Sequence, residues 1–166
     1  METLRIAVIS DTHMPRGNRA LPARAVAELR DADAILHGGD FMRAEVLEML
    51  QRLGPPVHGI HGNVDDEALR RMLPAARVVE LGGVRIGMVH DAGPSTGRLA
   101  RMRFRFKDAD AVIFGHSHLP LHEADADGFQ IFNPGSPTER RRAPHHTMGM
   151  ATVRGERIEF ELIELD

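Results

Sequence analysis

Short uninterrupted apolar runs alternate with amphipathic stretches through the first half of the chain. Residues 4–9 (LRIAVI) form a run of buried-strand type, and 21–30 (LPARAVAELR) place Leu21, Ala25, Val26 and Leu29 on one helical face. Pro22 falls in the first turn of that helix, where a missing N–H costs nothing. A second apolar run at 34–37 precedes another amphipathic stretch, 44–53, with Val46, Leu47, Leu50 and Leu53 inward. Gly54-Pro55-Pro56 stops it, and 57–60 reads as a third strand. Strands alternating with helices predict parallel βαβαβ units.

From about residue 77 the pattern changes. Runs at 77–81 and 84–89 flank Gly82-Gly83, a hairpin signal. The stretch 95–106 predicts a helix with Leu99, Met102 and Phe106 on one side and a solvated stripe of Arg98, Arg101 and Arg105 on the other. A buried run at 111–114 follows, then short strands pairing across Asp127-Gly128 and Arg154-Gly155. The expected class is α/β, parallel first and antiparallel later. With 166 residues and no linker, repeat or low-complexity tract, residues 1–166 are expected to form one domain.

Composition removes several kinds of chemistry. There is no cysteine, so disulfides, thiolate metal sites and a cysteine nucleophile are excluded. A net charge of −3, without an aromatic stacking platform, gives no reason to expect a nucleic-acid partner. No apolar run reaches membrane-spanning length, and Met1 to Arg5 lead directly into a strand instead of a secretory leader, so the expected location is cytoplasmic with no membrane partner. The unusual feature is ten histidines. Histidine is the commonest metal ligand, so their placement matters.

The polar residues gather where strands end. The first strand runs into Ser10-Asp11-Thr12-His13, the second into Gly38-Gly39-Asp40 and the third into Gly62-Asn63. His90 ends the run 84–89, and Gly115-His116-Ser117-His118 ends 111–114. In open α/β sheets the carboxyl ends of strands converge on the ligand crevice, so Asp11, Asp40 and Asn63 can meet although each lies more than twenty residues from the next. Neighbouring glycines leave room for the backbone to approach closely. Each short motif is weak alone; their order and strand-end placement carry the signal.

In that order, D-x-H, G-D, G-N, H and G-H-x-H, the chain resembles the calcineurin-like metallophosphoesterases, and Asn133-Pro134-Gly135-Ser136 is similar to their small bacterial and archaeal phosphodiesterase branch. The resemblance implies a four-layer α-β-β-α sandwich, with two mixed sheets and flanking helices. It assigns Asp11, His13 and His118 to one metal and Asn63, His90 and His116 to a second, with Asp40 bridging. Oxygen and imidazole ligands without sulfur suit two divalent ions per chain, with Mn²⁺ as the first expectation and Fe, Zn²⁺ or Ni²⁺ as alternatives. The implied activity is phosphodiester hydrolysis by a hydroxide bridging the two ions, in which Asp40 and Asn63 take part. Two divalent cations, two carboxylates and one hydroxide leave one positive charge, which a phosphodiester monoanion neutralises. A phosphomonoesterase and a non-catalytic protein-interaction scaffold on the same fold are the alternatives. The substrate expected is a small phosphoester, and small relatives often self-associate, which puts a homo-oligomer among the expectations.

One position departs from the family pattern. Many members read G-N-H, the histidine assisting the leaving group, whereas this chain has Val64 after Asn63. General acid assistance is worth roughly 10²–10⁴-fold, so esters with poor leaving groups are expected to turn over slowly. His61 is a substitute donor, since i and i+2 on a strand face the same side; the alternative is a surface or supporting histidine. Arg140 and Arg141, with Arg142, either bind substrate phosphate or form a solvated loop. His37 is expected to pack or hydrogen-bond beneath the centre, and Asp91 either to orient a ligand or, the favoured reading, to cap the loop that follows it. His145 and His146 lie in the same loop region as the arginines, and His58 and His122 carry no functional assignment.

Overall fold

The computed structural model describes residues 2–166; Met1, the first residue of the start expected to lack a secretory leader, lies outside them. Strand β1 (Thr3–Ile9) leads through helix α1 (Ala23–Asp31) to β2 (Ala34–His37), and through α2 (Ala44–Gln51) to β3 (Val57–Gly59). These three strands pair in parallel, as the alternating pattern predicts. Next come α3 (Glu67–Met72), β4 (Ala76–Leu81), β5 (Val84–Val89), α4 (Arg98–Arg105) and β6 (Ala111–Ile113). Two hairpins complete the chain, β7 (Leu121–Ala124) with β8 (Gln130–Asn133) and β9 (Thr147–Arg154) with β10 (Arg157–Glu164).

The strands form two mixed five-stranded sheets, ordered β10-β9-β1-β2-β3 and β4-β5-β6-β8-β7. Alternation explains why β1 is apolar on both faces. Ile6 and Val8 point between the sheets, where they join Leu36, Val153, Ile86, Ile113 and Phe132. Ala7 and Ile9 point the other way, onto Leu29 of α1, Val46 and Leu50 of α2 and Leu69 of α3. The outer face of the second sheet receives Met102 of α4 and Phe106 against Val112, Phe129 and Ile131. The buried apolar strand side chains thus fall into three layers, and the result is the four-layer α-β-β-α sandwich.

Helix α3 was not expected from the pattern. It has six residues and a single buried side chain, Leu69, too little for a 3.6-residue period to register. Its signal was local: Asp66 accepts a hydrogen bond from Leu69 N and caps the first turn. The arginine stripe of α4 also needs correction. Arg98 donates to the Gly93 carbonyl, and Arg101 donates to those of Ala92, Pro94 and Thr96. Arg98 also lies 5.1 Å over the Phe114 ring. A loop whose carbonyls lack strand partners draws these guanidiniums inward, and of the three only Arg105 is fully exposed.

Candidate metal centre

Five of the strands deliver polar groups at one end of the sandwich, three from the first sheet and two from the second. The loops are tied directly to one another: Asp11 N donates to Gly39 O, His13 N to Asp40 O, and Gly115 N to His90 O. Close approach is obligatory. A Cβ at Gly62 would collide with the Asp40 carboxylate, and one at Gly115 with the side chains of Ser10 and Asp11. Asp11, His13, Asp40, His116 and His118 adopt left-handed backbone conformations, with φ of 57°, 45°, 61°, 74° and 64°. Such residues are uncommon outside glycine and cluster where side chains must be aimed against local preference.

The aimed side chains form two adjacent groups, Asp11–His13–His118 and Asp40–His90–His116. In the first, Asp11 Oδ1 lies 3.9 Å from His13 Nε2 and 3.5 Å from His118 Nε2. The two groups meet at Asp40, whose Oδ2 is 3.4 Å from His13 Nε2 and 3.1 Å from His90 Nε2. Asn63 reaches the second group, with Oδ1 3.2 Å from His116 Nδ1. All seven residues expected from the strand-end pattern are brought together.

The donor set fits divalent cations. Asp11 Oδ1 and the Nε2 atoms of His13, His90 and His118 are buried without a hydrogen-bond partner among the described residues. Buried polar atoms are normally paired, so four converging orphans need an electrophile in common. In two of these three imidazoles the opposite ring nitrogen is engaged: His90 Nδ1 lies 2.7 Å from Gly38 O, and His118 Nδ1 bonds the Glu139 carbonyl. A carbonyl can only accept, so each Nδ1 carries the proton and each Nε2 offers a lone pair inward. Burial alone disfavours the charged form of His13, but Asp11, Asp40 and Glu139 overcome it and raise its pKa to about 9 in the metal-free chain. Burial likewise opposes ionisation of Asp40, yet His13, His90 and the Val64 N–H hold its carboxyl well below the ordinary range.

Several supporting residues were not legible beforehand. Buried Asp65 accepts from Asp40 N, Gly62 N and Met42 N, clamping the second and third strand-end loops. Asn133 donates to the Gly115 carbonyl and accepts from Gly135 N, and Ser136 donates to the Asp11 carbonyl. Arg70 of α3 donates to the carbonyls of Gly62, Asn63 and Asp65. His37 behaves as expected beneath the centre. It stacks on Phe41 at 3.5 Å, receives the Gly39 N–H at Nδ1 and bonds Thr12 Oγ1 through Nε2. Burial pushes its pKa down to about 3, so it stays neutral. Asp91 accepts from Gly93 N and caps its loop.

The outlying candidates separate. His61, Asn63, Arg70, Asp91, Arg105 and His116 line a cleft of about 360 Å³ beside the second group. Strand β3 ends at Gly59, so His61 and Asn63 sit in a loop and strand alternation does not relate them. Arg140 turns back to the Ala143 carbonyl, whereas the Arg141 guanidinium comes within 3.8 Å of Glu139. His145 and His146 pair with Asp166, away from the cleft residues.

The family model for the calcineurin-like phosphoesterase superfamily domain matches residues 4–156. The chain belongs to that superfamily. It is 32% identical over 160 residues to a probable metallophosphoesterase of Methanothermobacter thermautotrophicus, covering 95% of this chain and 91% of that protein. A phosphodiesterase of Methanocaldococcus jannaschii is 23% identical over 145 residues, or 80% of this chain and 83% of the relative. Among solved structures, vacuolar protein sorting 29 of Cryptosporidium parvum superposes with a TM-score of 0.84 at 22% identity, covering 99% of this chain and 92% of that one, a likeness of fold. A superfamily with metal-dependent members accounts for two groups of inward-facing ligands at one end of a calcineurin-like sandwich. Among the described residues no helix is long and apolar enough to cross a membrane.

Proposed function

We propose that residues 1–166 act as one cytoplasmic metallophosphoesterase domain that hydrolyses a small phosphodiester. The observation that carries this reading is the position of Asp40 Oδ2 between His13 and His90, within 3.4 and 3.1 Å of imidazoles in the two separate groups. Asp11, His13 and His118 would hold one divalent cation and Asn63, His90 and His116 the other, with Asp40 shared. When bound, such a pair supplies a hydroxide nucleophile at neutral pH and positive charge for the phosphoryl oxygens.

The remaining roles belong to the protein. Asp40 is kept ionised by its neighbours, and the Val64 N–H bond to its Oδ1 at 3.0 Å leaves Oδ2 free to face both groups. Asn63 supplies an amide where a carboxylate would cancel the positive charge a diester monoanion needs. The Val64 side chain, 39% exposed, carries no proton to give a departing alkoxide. His61 stands in the same cleft as Asn63 and His116 and is assigned that proton. Arg141, exposed beside Glu139, is the arginine assigned to a substrate phosphate, whereas Arg140 is committed to its own loop.

Metal-free protein reconstituted with Mn²⁺, Fe²⁺, Zn²⁺ or Ni²⁺ should hydrolyse an aryl phosphodiester faster than the matching monoester, with Mn²⁺ the most effective. A preference for the monoester replaces the diester reading. Two bound ions without hydrolysis of either ester, under all four metals, supports the scaffold. A His61→Ala variant with the same dependence of rate on leaving-group pKa as wild type removes His61 from the mechanism.

A further inference from the structure

His13 and His118 are the ligand imidazoles whose outer nitrogens face a buried carboxylate oxygen, that of Glu139, and His13 is the nearer, with His118 Nδ1 at 3.9 Å. Glu139 Oε2 lies 3.5 Å from His13 Nδ1, and both atoms are buried without a hydrogen-bond partner among the described residues. The other oxygen, Oε1, receives a hydrogen bond from Arg19 Nη2 at 2.7 Å. Arg19 also lies against the His13 carbonyl, with Nη1 at 3.5 Å, so the three residues close a ring around the imidazole.

The loop that presents Glu139 is aligned residue by residue with the segment it supports. Ser136 Oγ donates to the Asp11 carbonyl at 2.7 Å, Thr138 Oγ1 to the Thr12 carbonyl at 2.5 Å, and Glu139 faces the His13 ring. Ser136 Oγ in turn accepts from Glu139 N at 2.8 Å, which sets the direction of the glutamate. The Glu139 carbonyl meanwhile receives the Nδ1 proton of His118. One residue therefore addresses both imidazoles of the Asp11 group, one through its main chain and the other through its side chain.

We infer that Glu139, oriented by Arg19, is a positioning residue that makes the Asp11–His13–His118 position the tighter of two unequal metal sites. An Nδ1–H directed at a carboxylate holds the imidazole in the tautomer that offers Nε2 inward and raises its basicity. The second group has no counterpart. Its Asn63 is exposed, and Nε2 of His116, 45% exposed, faces the exposed Asp91 at 3.9 Å. The exposed Arg141 guanidinium lies 3.8 Å from Glu139 Oε2, outside hydrogen-bond reach, and leaves that oxygen directed at His13.

This inference rests on the dinuclear reading, and its test separates the two. Metal-free wild-type protein is titrated with Zn²⁺ against a competing chelator, and separately with Co²⁺ while the visible ligand-field spectrum is recorded. Two binding steps are expected. His118→Ala should remove the tighter step, and His116→Ala should weaken the other. Glu139→Gln should weaken only the step lost in His118→Ala, by roughly the 10–100-fold typical of an outer partner of a ligating histidine, and shift the spectrum of that ion alone. Glu139→Asp should recover part of the loss. Arg19→Met, which keeps the carboxylate and removes its anchor, should weaken the same step less and keeps the inference testable if Glu139→Gln fails to fold. Equal Zn²⁺ affinities and Co²⁺ spectra in wild type, Glu139→Gln and Arg19→Met overturn the inference while leaving the dinuclear centre intact, as does weakening of both steps alike. Failure of the wild type to bind any ion overturns the dinuclear reading and this inference with it.

Discussion

At one end of the sandwich, strands β1, β2, β3, β5 and β6 run out into buried loops that bond one another. At the other end, β4–β5, β7–β8 and β9–β10 turn back through short hairpins, two of them joined by Gly83 N to the Gly155 carbonyl. Both ends contain left-handed backbone, but of different kinds. The hairpins use Gly82, Gly128 and Gly155, which adopt it without steric cost; the metal end, besides Gly39 and Gly135, uses aspartates and histidines. A non-glycine residue there costs about 1–2 kcal/mol, which glycine would remove along with the ligand. Strain is therefore tolerated where side chains must converge, and the clamps of Asp65, Asn133 and Ser136 keep the loops from relaxing.

The contrast is tested most severely at Asp40. Asp40→Asn should lower diester turnover by roughly 10⁴-fold, the scale on which loss of one member of a catalytic unit is felt, together with the metal content of the purified protein. Full activity with both ions retained would remove the bridging role. Asp65→Ala comes next. Three N–H groups, two of them buried, lose their acceptor, and with each orphaned donor worth about 1–3 kcal/mol and partial relaxation of the loops, denaturant unfolding in chelator should show a loss of roughly 3–5 kcal/mol.

A smaller effect is expected from His37. Its folded pKa of about 3 lies below the ordinary 6.5, so between those values the unfolded chain takes up a proton that the folded chain refuses. Stability should fall as pH falls through this window, by about 1.4 kcal/mol per unit, and nothing of this contribution should appear above pH 6.5. His37→Gln should flatten that part of the metal-free profile; an unchanged slope assigns it to other groups. The smallest effect belongs to the hairpin end. Asp127, 81% exposed and 3.7 Å from Arg103, should tolerate alanine within about 0.5 kcal/mol and with unaltered turnover. A larger loss would mean that the two ends are less different than their hydrogen bonding indicates.

The legible and illegible parts of the molecule divide along the same line. The ends of β1, β2 and β5 could be read because apolar runs stop abruptly at Ser10, Gly38 and His90, and a strand end needs only local sequence to be seen. The ligands at those ends could be read for the same reason. Glu139 could not, because its role depends on the loop of residues 134–139 lying in register with residues 11–13, a match made across the fold. Asp65 follows Asn63 and Val64 directly, but its three acceptor bonds join loops from separate strands. The arginines of α4 were misread because charge predicts solvent, while the carbonyls of the loop before the helix form attractive partners within the protein.

Strand β1 pairs with β2, its next strand in sequence, on one side and with β9, near the far end of the chain, on the other. A growing chain could complete the first pairing early, whereas the second must wait for β9, more than a hundred residues later, and such distant pairings are slow to form. The segment from Asp11 to His13 thus precedes by more than a hundred residues the segment 136–139 that braces it. Cation capture becomes a mark of completed assembly: an ion bound only by the finished arrangement would draw the folding equilibrium toward it and leave unfinished chains unloaded.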